Sequence, residues 1–368
     1  MSGVSAAVMP GPGEPVELRE LAEPELEPDS ALLAVELSEV CGTDVHLQRG
    51  RLAGVPYPLI PGHVSVGRLE KIRGRLFDVN GRAFREGDRV TFLDVHRTCH
   101  ACWHCLVAKT TTRCPSRKVY GITYGLDDTL AGGWAEKIYL KPGTRVIALE
   151  GVDAARFMAG GCALPTALHA VERADIPLGS TVLVLGSGPV GLSAIALSLM
   201  RGALRVICTG APAARLAAAR SVGAAATLDV EAHTPDERAA WVSGETEGRG
   251  ADVCIEATGA PGAVVEAMRY ARDAGTVVVV GQYTDHGEVA FNPHLDLNRK
   301  HLDVRGCWGS DFSHFHRGAR LMADAERSAP WSRLALDTYP LARAGEALEA
   351  VASGRVVKAL IDPRAAAV

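Results

Sequence analysis

The stretch Thr181-Val-Leu-Val-Leu-Gly-Ser-Gly-Pro-Val-Gly191 constrains this chain more than any other. Apolar residues run straight into a Gly-x-Gly-x-x-Gly turn, and a long apolar segment, Leu192 to Met200, follows at once. A buried strand that turns on glycines into a helix is the dinucleotide-binding fingerprint. Gly186 permits the tight turn, Gly188 lets a pyrophosphate approach the backbone, and Gly191 lets helix and strand pack closely. Pro189 and Val190 open the helix, whose free N–H groups and positive dipole end face the phosphates.

The chain around this stretch alternates strands and helices. Strands are expected at Thr181–Leu185, Arg205–Thr209, Ala226–Asp229, Asp252–Ala257 and Thr276–Val280, with helices such as Pro212–Ser221 and Gly262–Ala271 between them. Repeated βα units at this spacing imply a doubly wound parallel sheet. The part before about Glu150 reads differently. Ala31–Leu37, Val64–Ile72 and Arg89–Phe92 are short strand signals among turns, with Asp78–Glu86 as an inserted loop or hairpin. That is all-β organisation, a small distorted barrel. The tail holds one further strand, helices over Phe315–Ala325 and Gly345–Ala352, and a last strand at Val356–Ile361.

Composition narrows the function classes. Hydrophobic residues make up 47% of the 368, enough for a large core, and the formal charge is only −4. A nucleic-acid binder would carry a basic patch and a high pI. No apolar run approaches the roughly 18–20 residues of a membrane span. The N-terminus lacks a basic leader before a long apolar run, so the expectation is a cytoplasmic protein whose nine cysteines are thiols or metal ligands.

Cys99-His-Ala-Cys102-Trp-His-Cys105 followed by Cys114 is the strongest local metal signal. Four thiolates this close together close a tetrahedral shell around zinc and leave no open position, which makes the site structural. His100 and His104 read as solvent-facing. Three further groups, Cys41-Gly-Thr-Asp-Val-His46, Pro61-Gly-His63 and Gly160-Gly-Cys162, are far apart. Spacing alone does not join them. Singly, Cys41 reads as a core thiol and His63 as a hydrogen-bonded core histidine. Joined, they supply three N/S ligands and an open position, the composition of a catalytic zinc site.

The ordered set of stretches resembles the zinc-dependent medium-chain alcohol dehydrogenases along nearly the whole chain. It comprises Cys41-Gly-Thr-Asp, Pro61-Gly-His63, Gly87-Asp-Arg-Val90, the Cys99–Cys114 lobe and Gly132-Gly-Trp-Ala-Glu136. It continues with Gly186–Gly191, Gly250-Ala-Asp-Val-Cys-Ile-Glu-Ala-Thr-Gly259 and Val357-Lys-Ala-Leu-Ile-Asp-Pro363. The polyol, threonine and secondary-alcohol branches are the most similar. The resemblance implies a GroES-like zinc-binding domain over residues 1–160, a Rossmann domain over 161–306 and a return to the first domain over 307–368. It implies two zinc ions per chain, with Cys41, His63 and Cys162 holding the catalytic one. Asp44 becomes the carboxylate that fixes the His63 tautomer. Thr43 becomes the hydroxyl that holds the substrate oxygen, and His46 the surface base. A homodimer or homotetramer acting on a small alcohol or carbonyl substrate is the matching expectation.

Three departures from the family pattern carry their own expectations. Val64 stands where the family has a glutamate after the histidine. Lys358, matching a basic residue near the cofactor pyrophosphate, is then expected to lack a carboxylate and bind phosphate freely. Eight residues separate Cys105 from Cys114, one more than usual, which loop closure tolerates. Gly210 ends the second strand of the dinucleotide unit where NAD-preferring relatives have an acid. With Arg215 close behind, NADP is favoured over NAD. Cys208, Cys254 and Cys307 read as small core residues. Leu59, Val95, His96, Trp134 and Trp308 are candidate substrate-lining residues, and Asp94 with His96 hints at a polar substrate.

The function expected is hydride transfer between NAD(P) and a secondary or polyhydroxylated alcohol/ketone pair, with zinc as the Lewis acid. The rivals are reduction of an activated C=C or C=N bond on the same scaffold, and a non-catalytic dinucleotide-binding protein. The second rival needs none of Cys41, Thr43, His63 or Cys162.

Overall fold

The computed structural model describes residues 3–366. They form two compact units. Within that range, the first unit takes in the residues of 1–162, 311–325 and 335–368, and the second those of 163–310 and 326–334.

The first unit is organised by the strand Ser30–Val40, apolar along most of its length and buried at nearly every position. A strand buried on both faces needs partners on both edges, and this one has three. It pairs antiparallel with Ser65–Arg73 along one edge, and with Lys137–Leu140 and then Lys358–Asp362 along the other. Register shifts at Leu32/Leu33 and Val35/Leu37 bend it. The full sheet runs Leu336–Pro340, Lys358–Asp362, Ser30–Val40, Ser65–Arg73, Arg89–Phe92, Val146–Ala148. Its core holds Leu33, Val35, Leu69, Phe92, Tyr120 and Ile138. The expected insertion at Asp78–Glu86 is a tight turn in which Asp78 Oδ1 accepts the N–H groups of Asn80 (2.8 Å) and Arg82 (2.9 Å).

The second unit is a six-stranded parallel sheet. Its order is Ala226–Asp229, Arg205–Gly210, Thr181–Leu185, Ala251–Glu256, Ala271–Val279, Asp303–Gly306. Thr181–Leu185 is first in sequence but central in space, with the second strand on one side and the fourth on the other. That reversal opens a crevice at the carboxyl ends of the strands. The helix Pro189–Met200 leaves this point and is buried from Gly191 to Ser198. Residues 326–334 pack with this unit, whereas the sequence reading returns the whole tail after 306 to the first. Buried Trp331 explains the difference: its indole N–H donates to Ser193 Oγ on that helix at 3.0 Å. Among the described residues no helix is long and apolar enough to cross a membrane.

Candidate active site

Cys41 ends the central strand and caps the helix Gly42–Gln48, its sulfur accepting the Thr43 N–H at 3.4 Å. His63 follows the Pro61-Gly62 turn, and Gly62 has a φ of 88° that suits only glycine. Cys162 follows Gly160-Gly161 at the end of the helix Ala154–Gly160. The ligating atoms of the three side chains lie within 4.8 Å of one another. Cys41 Sγ is 3.7 Å from His63 Nε2, against about 3.6 Å for sulfur and nitrogen on one tetrahedral zinc.

The electrostatics describe a site built for a cation. Cys162 hydrogen-bonds Cys41 and, with the His63 charge assisting, holds the Cys41 thiol well below its ordinary range. The same contact, with burial, pushes Cys162 well above its own. Burial pulls the His63 imidazole down, but the Cys41 sulfur outweighs it and lifts the group to about 10. The two sulfurs and the imidazole lie close enough that each shifts the protonation of the others. Soft N/S donors converging on one point, two of the three residues buried and Cys162 half-buried, fit zinc.

Asp44 does not do what the sequence reading assigns it. Its Oδ2 accepts the Cys41 N–H at 2.8 Å and its Oδ1 faces the Gly62 N–H at 3.4 Å. His63 Nδ1 is buried with no hydrogen-bond partner among the described residues. The reason is local: Asp44 is the third residue of its helix, where a carboxylate reaches back to cap the turn. It ties the Cys41 turn to the loop carrying His63 and does not orient the ring. Burial, then the Cys41 charge, raises its carboxyl well above the usual range. Thr43 and His46 sit three residues apart on the same short helix, on one face of it, and both are half-buried.

Lys358 does not stand free for phosphate. It is fully buried and pairs with Glu39 Oε1 at 2.7 Å, while its Nζ donates to the Gly160 carbonyl at 3.2 Å. It does have a carboxylate beside it, and that carboxylate occupies it. Val64 is buried and offers no ligand atom. Sequence reasoning missed Glu39. The available signal was a pair of opposite charges inside two apolar strands, Glu39 before Val40-Cys41 and Lys358 after Val356-Val357.

The Gly132-Gly133-Trp134 stretch braces the His63 loop. Gly133 N–H donates to the Gly62 carbonyl at 2.7 Å and Trp134 N–H to that of Pro61 at 3.0 Å. A Cβ on Gly132 would lie 1.9 Å from the Ile60 carbonyl oxygen. Gly132→Ala is therefore expected to destabilise the first unit by about 3 kcal/mol, read as a lowered thermal midpoint. Trp134 is fully buried with its indole N–H on the Glu39 carbonyl, so it is scaffold and not substrate lining. Leu59 is fully buried too. His96 is held between the Tyr124 hydroxyl and the Pro142 carbonyl, and burial keeps its imidazole pKa low.

The four lobe sulfurs, Cys99, Cys102, Cys105 and Cys114, also lie within 4.8 Å of one another. Two pairs stand at 3.5 and 3.6 Å, close to the roughly 3.8 Å of tetrahedral zinc–thiolate geometry. The long gap before Cys114 is taken up by the irregular segment 107–110 and a 3₁₀ turn, Thr111–Arg113. The N–H of Ala101 and a hydrogen bond from Cys102 lower the Cys99 thiol to about 6. Neither His100 nor His104 joins the cluster.

In the second unit the glycine turn has the geometry its sequence implies. Gly186 has a φ of 115°, a Cβ on Gly188 would meet nothing, and one on Gly191 would lie 1.9 Å from the Gly186 carbonyl oxygen. Gly188 caps the helix that begins at Pro189 and Val190, leaving its first N–H groups without side-chain caps. Gly210 serves packing: a Cβ there would lie 2.5 Å from Ser187 Oγ, inside the glycine turn. Arg215 stands half-buried on the next helix, Ala213–Ser221.

Comparison with known proteins agrees with both units. Residues 27–151 match the alcohol dehydrogenase GroES-like domain and residues 189–324 the zinc-binding dehydrogenase domain. The 5-exo-hydroxycamphor dehydrogenase of Pseudomonas putida is 32% identical over 91% of this chain and 92% of its own length. The erythritol/L-threitol dehydrogenase of Mycolicibacterium smegmatis is 29% identical over 96% and 95%. Among solved structures, an alcohol dehydrogenase from Thermotoga maritima superposes with a TM-score of 0.92 at 31% identity, covering 99% of this chain and 100% of that one. A zinc-binding dehydrogenase from Sinorhizobium meliloti bound to NADP gives 0.83 at 28%, with the same coverage. A likeness this long, carried through both domains and down to the cysteine and glycine motifs, places the chain in one family: it belongs to the zinc-type medium-chain alcohol dehydrogenases, NAD(P)-linked enzymes of alcohol oxidation and carbonyl reduction.

Proposed function

We propose that the chain binds zinc through Cys41, His63 and Cys162 and oxidises a secondary or polyhydroxylated alcohol, or reduces the matching ketone, with NADP. The observation that carries this reading is the approach of three ligand atoms, drawn from segments up to 121 residues apart in sequence (162 minus 41), to within 4.8 Å. Zinc held there would supply a Lewis acid, and a bound NADP would supply the hydride acceptor or donor. The protein's residues handle the proton. The Thr43 hydroxyl, on the turn that Cys41 caps, would accept the substrate's O–H proton as it releases its own, and His46, one turn later on the same helix, would be the base that carries the released proton toward solvent. In oxidation the substrate would thereby lose one proton, through these side chains, and one hydride, to a bound NADP.

Relatives named for 5-exo-hydroxycamphor, D-arabinitol, erythritol or L-threitol, and sorbitol support the substrate class. The decisive experiment is a panel of polyols, cyclitols, amino alcohols and simple secondary alcohols scored by NADPH and NADH absorbance. Turnover restricted to enones or imines overturns the alcohol reading, and no turnover with intact dinucleotide binding overturns the enzymatic one.

NADP selection rests on Gly210, which puts no carboxylate at the end of its strand, and on Arg215 just beyond it. A relative is bound to NADP. Catalytic efficiency with NADP is expected to exceed that with NAD by about tenfold, the worth of one charge-assisted contact, and Arg215→Ala to bring the two near parity. A strong NAD preference in the parent protein ends this part of the reading. The lobe's four converging sulfurs support a second, structural zinc, and metal analysis is expected to give two per chain.

A further inference from the structure

Glu39 touches all three segments bearing the proposed ligands. It lies two positions before Cys41 in the central strand. Its N–H donates to the carbonyl of Val64, the residue after His63, at 3.0 Å. Its Oε2 accepts the backbone N–H of Cys162 at 2.7 Å. Its Oε1 pairs with Lys358 at 2.7 Å, and Lys358 in turn holds the Gly160 carbonyl. Gly161, between that carbonyl and Cys162, has a φ of 51°, and a Cβ there would stand 2.0 Å from Glu39 Oε2. The Gly160-Gly161-Cys162 turn is wrapped directly on the carboxylate.

We infer that Glu39 is a positioning residue of the metal centre: its carboxylate fixes the Cys162 backbone so that the sulfur meets Cys41 and His63, and Lys358 cancels its charge. The inference rests on the three-ligand reading given under Proposed function. A buried ion pair is often no more stabilising than apolar residues of the same volume, so its presence in a strand core calls for another reason. Here that reason is directional. An apolar side chain accepts no hydrogen bond, and the Cys162 N–H, at a turn of unusual conformation, needs an acceptor to hold one orientation. A carboxylate this close to two sulfurs would add a further negative charge to the site, and the Lys358 ammonium removes that repulsion. In the sheet register Val40 lies opposite Ala359, so the strand pairing itself delivers the lysine next to the carboxylate.

Two double variants separate positioning from simple filling. Glu39→Gln/Lys358→Met keeps an oxygen facing the Cys162 N–H, and Glu39→Ala/Lys358→Met does not; neither retains a buried charge. Zinc release to a chromogenic chelator is timed for both. The visible spectrum of each cobalt-substituted protein is also recorded as a difference against Cys162→Ser, so that the lobe cancels. The glutamine double is expected to keep the parent bands and a release rate within about threefold of the parent. The alanine double is expected to shift the bands and release metal at least about tenfold faster, the usual scale for partners that orient a ligand. Equal rates and equal spectra in the two doubles overturn the positioning role. A Cys162→Ser protein with the metal content and cobalt spectrum of the parent overturns the ligand reading itself, and the inference falls with it.

Discussion

Cys162→Ser is expected to lower turnover by about a thousandfold or more, because the site loses a thiolate and with it control over the ion that polarises the substrate oxygen. Serine matches the shape of cysteine but is a poor zinc ligand at neutral pH, so the fold stays while the chemistry goes. The Cys162 N–H on Glu39 is a backbone contact and survives the change. Metal analysis should show one zinc lost per chain and one kept in the Cys99–Cys114 lobe. Full activity with unchanged zinc content would sink the three-ligand reading. Removal of both ions by the same substitution would mean that the lobe does not hold metal independently.

Lys358→Met is expected to destabilise the protein more than Gly132→Ala does. It leaves Glu39 charged, buried and without its counter-ion. Breaking a buried pair from one side costs about 3–5 kcal/mol. For a unit of this size that lowers the melting temperature by roughly 10 °C. Adding Glu39→Gln to the same protein should recover much of the loss, since the orphaned charge is gone. The comparison is a double-mutant cycle read by thermal unfolding. A lysine free to bind phosphate would give another pattern: weakened cofactor binding with an unchanged melting temperature.

The metal lobe and the buried ion pair differ in how far the sequence reveals them. Cys99, Cys102, Cys105 and Cys114 lie within one short segment, so their spacing alone implies the cluster that the structure contains. The glycine turn at 186–191 behaves the same way, because its conformations and close approaches are properties of neighbouring residues. Five of the six strands of the parallel sheet lie within about five residues of the expected positions, since apolar runs between turn signals are local too, whereas the polar edge strand Asp303–Gly306 was not expected there. One local signal was overlooked. Thr234-Pro-Asp-Glu237 is a capping box with proline at the first turn, and it opens the helix Pro235–Glu245.

Secondary structure, the dinucleotide turn and the four-cysteine lobe were thus set by residues close together in the chain, and the amino-acid order alone determines them. The tertiary structure decided what Asp44, Glu39 and Lys358 do. Asp44 was available to His63 in principle, and the helix turn it caps claimed it. Glu39 and Lys358 lie 319 residues apart (358 minus 39), and only the pairing of their two strands makes them partners. Hydrophobic patterning records which face of a strand is buried but not which strand lies beside it. Long-range register is settled by the packing of the whole core, so a charge buried in one strand finds its partner only when the sheet has closed.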